Sequence, residues 1–412
     1  MHRFGGWLMP GLLIGAPAAM GQPIGYEDAL RSAVGEQPAL EAREAQIEAR
    51  RESAEAADEL PDPRLSAGIM NLPVTGPDAF NPTGQMMTMF QVGVEQEIPN
   101  LAKRNARTGI AEAEVNYAHA QLTQAQYAAA IGAGQAWIAL AFAQRRLTLA
   151  DAALEELREL VPVARSAVAS GSARPAQSLE IRRALLDLED ARTAIEAERE
   201  AAQARLTRYI FIESPVAAGT VPVSDIDAEQ LRSTLERNPE ILLAGAAVNR
   251  AEAATRLAES ERRPDFGVSV NYGVRDRDYG DMFSVMGSVT LPLFAGRRQE
   301  PRIRAAEAEA SAARAEREDQ RRALEAQFEG DVAMWRSAYR QWQRGRDELL
   351  PLARDRADLE TASFAANRAG LTEVVEAKKE LALIGLEVLE REQAAAEAAT
   401  RLRLTYREHM AW

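Results

Sequence analysis

Four short segments of the chain alternate between apolar and polar residues, a pattern that predicts amphipathic β-strands. In the second half, apolar residues occupy alternate positions over most of residues 266–274 and 283–291. In the first half the alternation covers residues 90–98 and, more weakly, residues 64–71. The chain therefore contains two predicted strand pairs, whose strands are about 9–11 residues long with one apolar face.

The segments between the strand pairs predict very long helices. Residues 104–169 and 297–369 contain few helix breakers apart from Pro162 and Pro351, and the first of them would span on the order of 100 Å at roughly 1.5 Å per residue. Apolar side chains recur at seven-residue intervals, which predicts close packing between helices. The repeating positions are Val374, Leu381, Val388, Ala395 and Leu402, and earlier Leu140, Leu147, Leu154 and Val161.

Two glycine-containing segments interrupt these helical patterns. They are Ser170-Gly171-Ser172 and Ala369-Gly370-Leu371-Thr372. Glycine readily adopts the left-handed conformation that ends a helix, and Ser172 or Thr372 can cap the helix that follows. Each segment is predicted to be the tip of one long helical hairpin, far from the strands.

The two halves of the chain resemble each other. Leu30-Arg31-Ser32 returns as Leu231-Arg232-Ser233, and two prolines return at the same spacing, Pro38 as Pro239 and Pro63 as Pro264. A fixed offset of this kind indicates an internal duplication. We predict two repeats, residues 22–225 and 226–412, each with a helix, two strands and two long helices, and together forming one interleaved domain.

The first 21 residues have the features of a secretory signal peptide. An apolar stretch too short to span a bilayer leads to the small residues Ala16 to Gly21, and cleavage is expected after Gly21 or Ala18. The alternative is a frayed apolar N-terminus. No cysteine follows, which excludes a lipidated N-terminus.

Composition narrows the classes of function. The 412 residues include 49 Lys and Arg against 62 Asp and Glu, a net charge of −13, with three histidines and no cysteine. Disulfides, thiolate zinc sites and cysteine nucleophiles are therefore excluded, and the acidic balance argues against nucleic-acid binding. There is no phosphate-binding glycine loop and no paired nucleophile and base. We expect no catalytic residue, no cofactor and no resident metal site.

The strand pairs have two explanations. A soluble antiparallel sheet buries one apolar face against a core, whereas strands of a transmembrane barrel turn that face to lipid. The predicted export, the isolation of the strand pairs between long helices and the lack of another apolar layer favour the barrel. Four strands are too few to close one, since the smallest has about eight, so several chains must contribute.

These features resemble the TolC-type outer membrane efflux family. The resemblance covers roughly residues 25–410. Within that family, the segment from Met86 to Pro99 followed by Lys103-Arg104 is similar to the heavy-metal, cobalt-zinc-cadmium type branch, and residues 291–298 (LPLFAGRR) resemble the exit from its second strand pair.

The resemblance implies a homotrimer in the outer membrane, with a 12-stranded β-barrel built from four strands of each chain and a long periplasmic helical tunnel. It implies that the hairpin tips contact a periplasmic adaptor, which joins an inner-membrane RND transporter. The tip residues are Ser170, Gly171, Ser172, Gly370, Leu371 and Thr372. By position, the resemblance also makes three carboxylates candidates for the periplasmic gate, namely Glu180, Glu373 and Glu376. The alternative is that they are solvated charges on the helix surface. Lys379 and Gln177 stand where the family pattern would have acidic residues.

The predicted function is a passive exit duct of a tripartite efflux system, carrying heavy-metal cations. The alternatives are export of drugs or peptides through the same fold and, from another class, a non-channel periplasmic coiled-coil adaptor. Met86, Met87 and Met89 are either a soft contact for copper or silver or ordinary apolar loop residues.

Overall fold

A computed structural model of the chain describes residues 21–35, 37–170, 174–222 and 225–406. The helices are α1 (Tyr26–Val34), α2 (Pro38–Asp58), α3 (Leu101–Ala169), α4 (Pro175–Thr207), α5 (Ala228–Arg232), α6 (Pro239–Ser260), α7 (Gln299–Arg344), α8 (Leu350–Ala365) and α9 (Leu371–Tyr406). The strands are β1 (Gln22–Ile24), β2 (Arg64–Met70), β3 (Met89–Ile98), β4 (Pro215–Ala217), β5 (Asp265–Val274) and β6 (Met282–Thr290). None of the helices in these ranges is both long and apolar enough to cross a lipid bilayer.

The described residues divide into two compact units, each taking segments from both halves of the chain. The sheet unit comprises residues 38–125 and 234–326, and the hairpin unit comprises the described residues up to 37 together with 126–233 and 327–406.

The sheet unit contains one antiparallel sheet in the order β2–β3–β5–β6. This confirms the four predicted strands and pairs the two halves through β3 and β5, where Val94 lies opposite Val270. Because side chains alternate along a strand, the register collects the apolar residues on one face. Most of that face is solvent-exposed in the single chain; its members include Leu65, Ile69, Phe90, Val92, Val94, Phe266, Val270, Tyr272, Phe283, Val285 and Val289.

A polar joint fixes the sheet to the start of α3. The side chain of Asn100 accepts a hydrogen bond from the backbone N–H of Lys103, so it caps the helix. The same side chain donates to Asp265 at 2.9 Å, and the ammonium group of Lys103 lies 2.7 Å from the other oxygen of Asp265. These contacts hold β3, β5 and the start of α3 in one arrangement.

The hairpin unit has a core centred on Trp137, which is fully buried. Its indole N–H donates to the carbonyl oxygen of Ile24 at 2.9 Å, and its ring meets Tyr26 edge-on at 5.5 Å. Burial raises the pKa of Tyr26 to about 12. Residues 22–24 pair in parallel with residues 215–217, so the start of the described chain is part of this core.

Most positions of the seven-residue stripes are core positions, as predicted. Val374, Val388, Ala395 and Leu402 on α9 are all buried, as are Leu140 and Leu154 on α3. The remaining three, Leu381, Leu147 and Val161, are half-buried. At Gly385 the helices approach so closely that a Cβ atom would lie 2.9 Å from the side chain of Leu149.

The predicted helix 297–369 is wrong in two respects. A π-helical turn, Gly345–Leu349, separates α7 from α8, and α8 ends at Ala365. Pro351 has no N–H to donate and its ring crowds the carbonyl four residues earlier, at Asp347, so the α-helical hydrogen bonding is interrupted within that turn. Pro162, by contrast, lies inside the continuous helix α3.

Candidate functional site

The tip of the second hairpin ends α8 with an asparagine rather than a glycine. Asn367 is in the left-handed region with φ of 55°, and its N–H donates to Phe364 O at 3.0 Å while that of Arg368 donates to Ser363 O at 2.8 Å. This is a Schellman closure, and asparagine tolerates the conformation it needs. The prediction that Gly370 is the left-handed residue is therefore wrong. So is the predicted cap, because Thr372 lies inside α9, which begins at Leu371.

The tip of the first hairpin is described only in part. Helix α3 ends at Ala169 and Ser170 is exposed, whereas Gly171 and Ser172 lie outside the described residues. Helix α4 starts at Pro175, so its N-cap residue is Arg174 and not the predicted Ser172. The N–H of Arg174 donates to the side-chain oxygen of Gln177 at 2.9 Å, which closes the first turn.

The structure brings the start of α4 next to the tip of the second hairpin. A Cβ atom on Gly370 would lie 2.6 Å from a carboxylate oxygen of Glu373 and 3.7 Å from the amide nitrogen of Gln177, so residues from α4 and α9 flank this glycine. Leu371 is only 3% exposed and belongs to the same apolar cluster as Ile181 and Leu157. Leu371 therefore supports the tip from within, while Gly370 and Thr372 are half-buried.

The three candidate gate carboxylates lie near this end on exposed helix positions. Glu180 is on the first turns of α4, and Glu373 and Glu376 are on the first turns of α9. Among the residues that the structure describes, none of the three has an ion-pair partner within 4.0 Å.

Behind the tips, two ion pairs connect the hairpins. Lys378 of α9 pairs with Glu156 of α3, and Lys379 pairs with Asp187 of α4. The hydrogen bond from Lys379 lowers the pKa of the Asp187 carboxyl. In the sequence, Lys379 stands out only as a departure from an acidic pattern, and the sequence predicts no partner for it.

A buried arginine forms a third connection that the sequence analysis missed. Arg146 of α3 lies 2.7 Å from Glu198 of α4 and 3.3 Å from Glu390 of α9, with Gln393 also within hydrogen-bond reach at 3.2 Å. Its side chain is 7% exposed. Removing the partners of a charge as buried as this one would strongly destabilise the fold. The signal in the sequence was an arginine directly beside Leu147 on the apolar stripe of α3.

The chain matches a family model over most of its length. The model is described as outer membrane efflux protein, and it matches residues 29–210 and 231–405. The chain belongs to the outer membrane efflux protein family. It is accordingly a transport protein of the outer membrane.

Solved structures share the fold of this efflux protein. A membrane protein from Pseudomonas aeruginosa is similar with a TM-score of 0.80 at 17% identity, over 94% of this chain and 92% of that one. The outer membrane channel CmeC of Campylobacter jejuni has a TM-score of 0.74 at 12% identity, over 92% of this chain and 85% of that one. The outer membrane protein VceC of Vibrio cholerae has a TM-score of 0.72 at 17% identity, over 93% of this chain and 97% of that one. No curated protein is significantly similar in sequence.

In the described part of the efflux protein, no three histidine, aspartate or glutamate side chains are grouped so that they could hold a metal ion. Hard or borderline cations such as zinc prefer nitrogen and oxygen ligands of this kind.

Proposed function

We propose that this protein is the exit duct of a tripartite efflux system. Its sheet spans the outer membrane as one third of a trimeric barrel, and its hairpins extend into the periplasm. The observation that carries this proposal is the continuous apolar face of the sheet, exposed in the single chain, together with its two edges. Strands β2 and β6 each have a neighbour on one side only among the described residues.

Pairing between copies of the chain satisfies those edges. An open edge leaves a row of unpaired backbone N–H and C=O groups, which cannot be tolerated in lipid. If β6 of one copy pairs with β2 of the next, three copies close a barrel of twelve strands, within the range of known transmembrane barrels. The apolar face then meets lipid, and the face that carries Gln91, Glu95, Ser269 and Asn271 lines a water-filled pore.

The same proposal assigns the hairpin tips to a periplasmic adaptor that joins an inner-membrane RND pump. Ser170, Gly171, Ser172, Gly370, Leu371 and Thr372 make or support that contact. The cargo we propose is heavy-metal cations. The net charge of −13 favours cations in a narrow aqueous path, as do the carboxylates of Glu180, Glu373 and Glu376, which have no ion-pair partner in the described part of the chain.

Fractionation and conductance test the duct. We expect a heat-modifiable trimer in outer membranes that forms ohmic channels in planar lipid bilayers. A soluble periplasmic pool would instead support a non-channel coiled-coil protein. Deletion of the gene tests the cargo: sensitivity to zinc, cobalt, cadmium or copper supports metals, whereas sensitivity to hydrophobic drugs alone would show that metals are not the cargo.

Reversing the charges behind the tips should open the gate. In Lys378→Glu/Lys379→Glu, each former ion pair becomes a like-charge contact with Glu156 or Asp187, so the two hairpins of one chain repel each other. We expect a several-fold higher conductance in planar bilayers, and a smaller effect at 1 M salt because exposed charges are screened.

Arg356→Glu is the matched control. Arg356 pairs with Glu380, but both lie in the second hairpin, so losing this pair should leave the connection between hairpins intact. Equal conductance in the double variant and the wild type would show that these pairs do not hold the gate.

Removing the gate carboxylates should weaken cation binding. We expect Glu373→Ala/Glu376→Ala to conduct with less block by divalent cations, because two negative charges per chain are lost at the narrow end. The block is measured as the divalent concentration that halves the single-channel current. If both conductance and block are unchanged, the assignment of Glu373 and Glu376 to the gate is wrong.

A further inference from the structure

Methionines are concentrated at one end of the sheet. Of the seven methionines in the described ranges, only Met334 lies on a helix, and the other six lie on the strands or in the first strand pair's loop. Those six are Met70, Met86, Met87, Met89, Met282 and Met286. Met70, Met89 and Met282 occupy the strand ends next to the loops 71–88 and 275–281, away from the helices.

The register places Met70 and Met89 side by side, and Met282 one strand further on, across Gly273. Met70 of β2 is the direct partner of Met89 of β3, and directly opposed side chains on one face lie about 4.5–5.5 Å apart at Cβ. On the other side of Met89, its sulfur lies 2.6 Å from the point where a Cβ atom on Gly273 would be. Gly273 is in turn the direct partner of Met282 on β6. The methionines and Gly273 therefore form a row across all four strands.

This row lies on the polar face of the sheet. Alternation puts Met70 on the same side as Ser66, and Met282 on the same side as Ser284, opposite to the apolar residues. Met70 is 47% exposed and Met282 is 39% exposed, so neither fills a core in the single chain. Apolar side chains on a water-facing surface gain no stability from burial, so packing does not explain why methionines occupy this row.

Hydrogen bonds fix the strand ends that carry the row. Thr88 donates to the carbonyl of Asn71 at 3.0 Å, and the Asn71 amide donates to the carbonyl of Met87 at 3.2 Å. These two bonds keep Met70 and Met89 in register where the loop begins. The guanidinium of Arg275, next along β5 beyond Val274, donates to the backbone carbonyls of Gly280 and Met86, so its position is fixed as well.

Thioether sulfur is a soft ligand without charge. It prefers soft cations such as Cu(I), whereas carboxylate and water oxygens suit Mg²⁺, Ca²⁺ and Mn²⁺. Two or three thioethers next to an arginine would bind such an ion weakly. Weak binding suits a conduit, since an ion must be held well enough to enter and loosely enough to leave.

We propose that Met70, Met89 and Met282 form a transient binding site for soft monovalent cations, Cu(I) or Ag(I), at the loop end of the polar sheet face. The position of this site in a pore rests on the proposed function. In a closed barrel β6 of one copy adjoins β2 of the next, so the row would continue from chain to chain around the mouth.

The binding is tested on the purified full-length protein with Ag⁺ as the probe. With ¹³C-methyl-labelled methionine, we expect Ag⁺ to shift the methyl resonances of Met70, Met89 and Met282, and Zn²⁺ to leave them unchanged. The methyl group of Met334, exposed on α7, should not move. Met70→Leu/Met89→Leu/Met282→Leu keeps the apolar volume without sulfur and should lose Ag⁺ binding, and Met334→Leu should retain it.

The outcomes separate this site from the duct. A wild type that conducts but shows no Ag⁺-dependent methyl shift overturns the site and leaves the duct standing. A wild type that binds Ag⁺ through these methionines but forms no channels overturns the duct and leaves the site standing. If the triple variant fails to form the trimer, Met89→Leu alone is measured, and Ag⁺ binding equal to that of the wild type overturns the proposal.

Discussion

Val270→Arg is expected to abolish assembly of the protein in the outer membrane. Val270 lies in the middle of the apolar face, directly opposite Val94 on one neighbouring strand and Val285 on the other. In the proposed barrel this position meets lipid near the bilayer midplane, where an arginine costs about 2–4 kcal/mol in each copy. Three copies multiply that cost. The measurement is the fraction of heat-modifiable trimer recovered from outer membranes.

Ser269→Arg is the matched control, because it adds the same side chain one residue away on the opposite face. There the guanidinium faces water and lies beside Glu95, the direct partner of Ser269, so trimer recovery should equal that of the wild type. If Val270→Arg assembles as well as Ser269→Arg, the apolar face does not meet lipid and the barrel is wrong.

The strands could be predicted from the sequence because their signal is local. A period of two is fixed by the backbone itself, and the predicted segment 90–98 differs from the observed β3, Met89–Ile98, by one residue. The apolar stripes of the long helices were predictable for the same reason. Buried positions such as Val388 and Ala395 follow from a spacing that any helix imposes.

The tip could not be predicted at the same precision. Glycine is the commonest left-handed residue, so Gly370 was the natural choice, yet the closure at Ser363 and Phe364 places the left-handed position at Asn367. Where a helix ends depends on which carbonyls find donors in the following turn, and several nearby residues satisfied the sequence pattern. Gly171 and Ser172 lie outside the described residues, so their role stays a prediction.

The ion pairs between hairpins were also beyond sequence reasoning. Lys379 and Asp187 are 192 positions apart, and the two helices that carry them display many exposed charges. Which charges meet depends on the rotation and the axial offset of one helix against another, and the apolar stripes fix these only approximately. The partners of Arg146 were beyond prediction for the same reason, because Glu198 lies on α4 and Glu390 on α9.

Trp137→Ala should strongly destabilise the hairpin unit. The side chain is fully buried, and its loss leaves a large cavity among α3, β1 and α1. Truncation of a buried aromatic residue costs about 3–5 kcal/mol. The carbonyl of Ile24 also loses one of its two donors and keeps the backbone N–H of Ala218, and the edge-on contact with Tyr26 is lost. The measurement is the denaturant dependence of unfolding, followed by circular dichroism in detergent.

Two further substitutions separate the hydrogen bond from the packing. Trp137→Phe keeps most of the ring volume but removes the indole N–H. The Ile24 carbonyl still accepts from the backbone N–H of Ala218 at 3.0 Å, so we expect a loss of about 0.5–1.5 kcal/mol, the net contribution of one hydrogen bond. Trp342→Phe removes an indole N–H that is buried and has no acceptor among the described residues, so it should leave stability unchanged or raise it slightly. If both Trp→Phe variants lose the same stability, the bond from Trp137 to Ile24 does not stabilise the hairpin unit, and residues 22–24 are held by their pairing with residues 215–217.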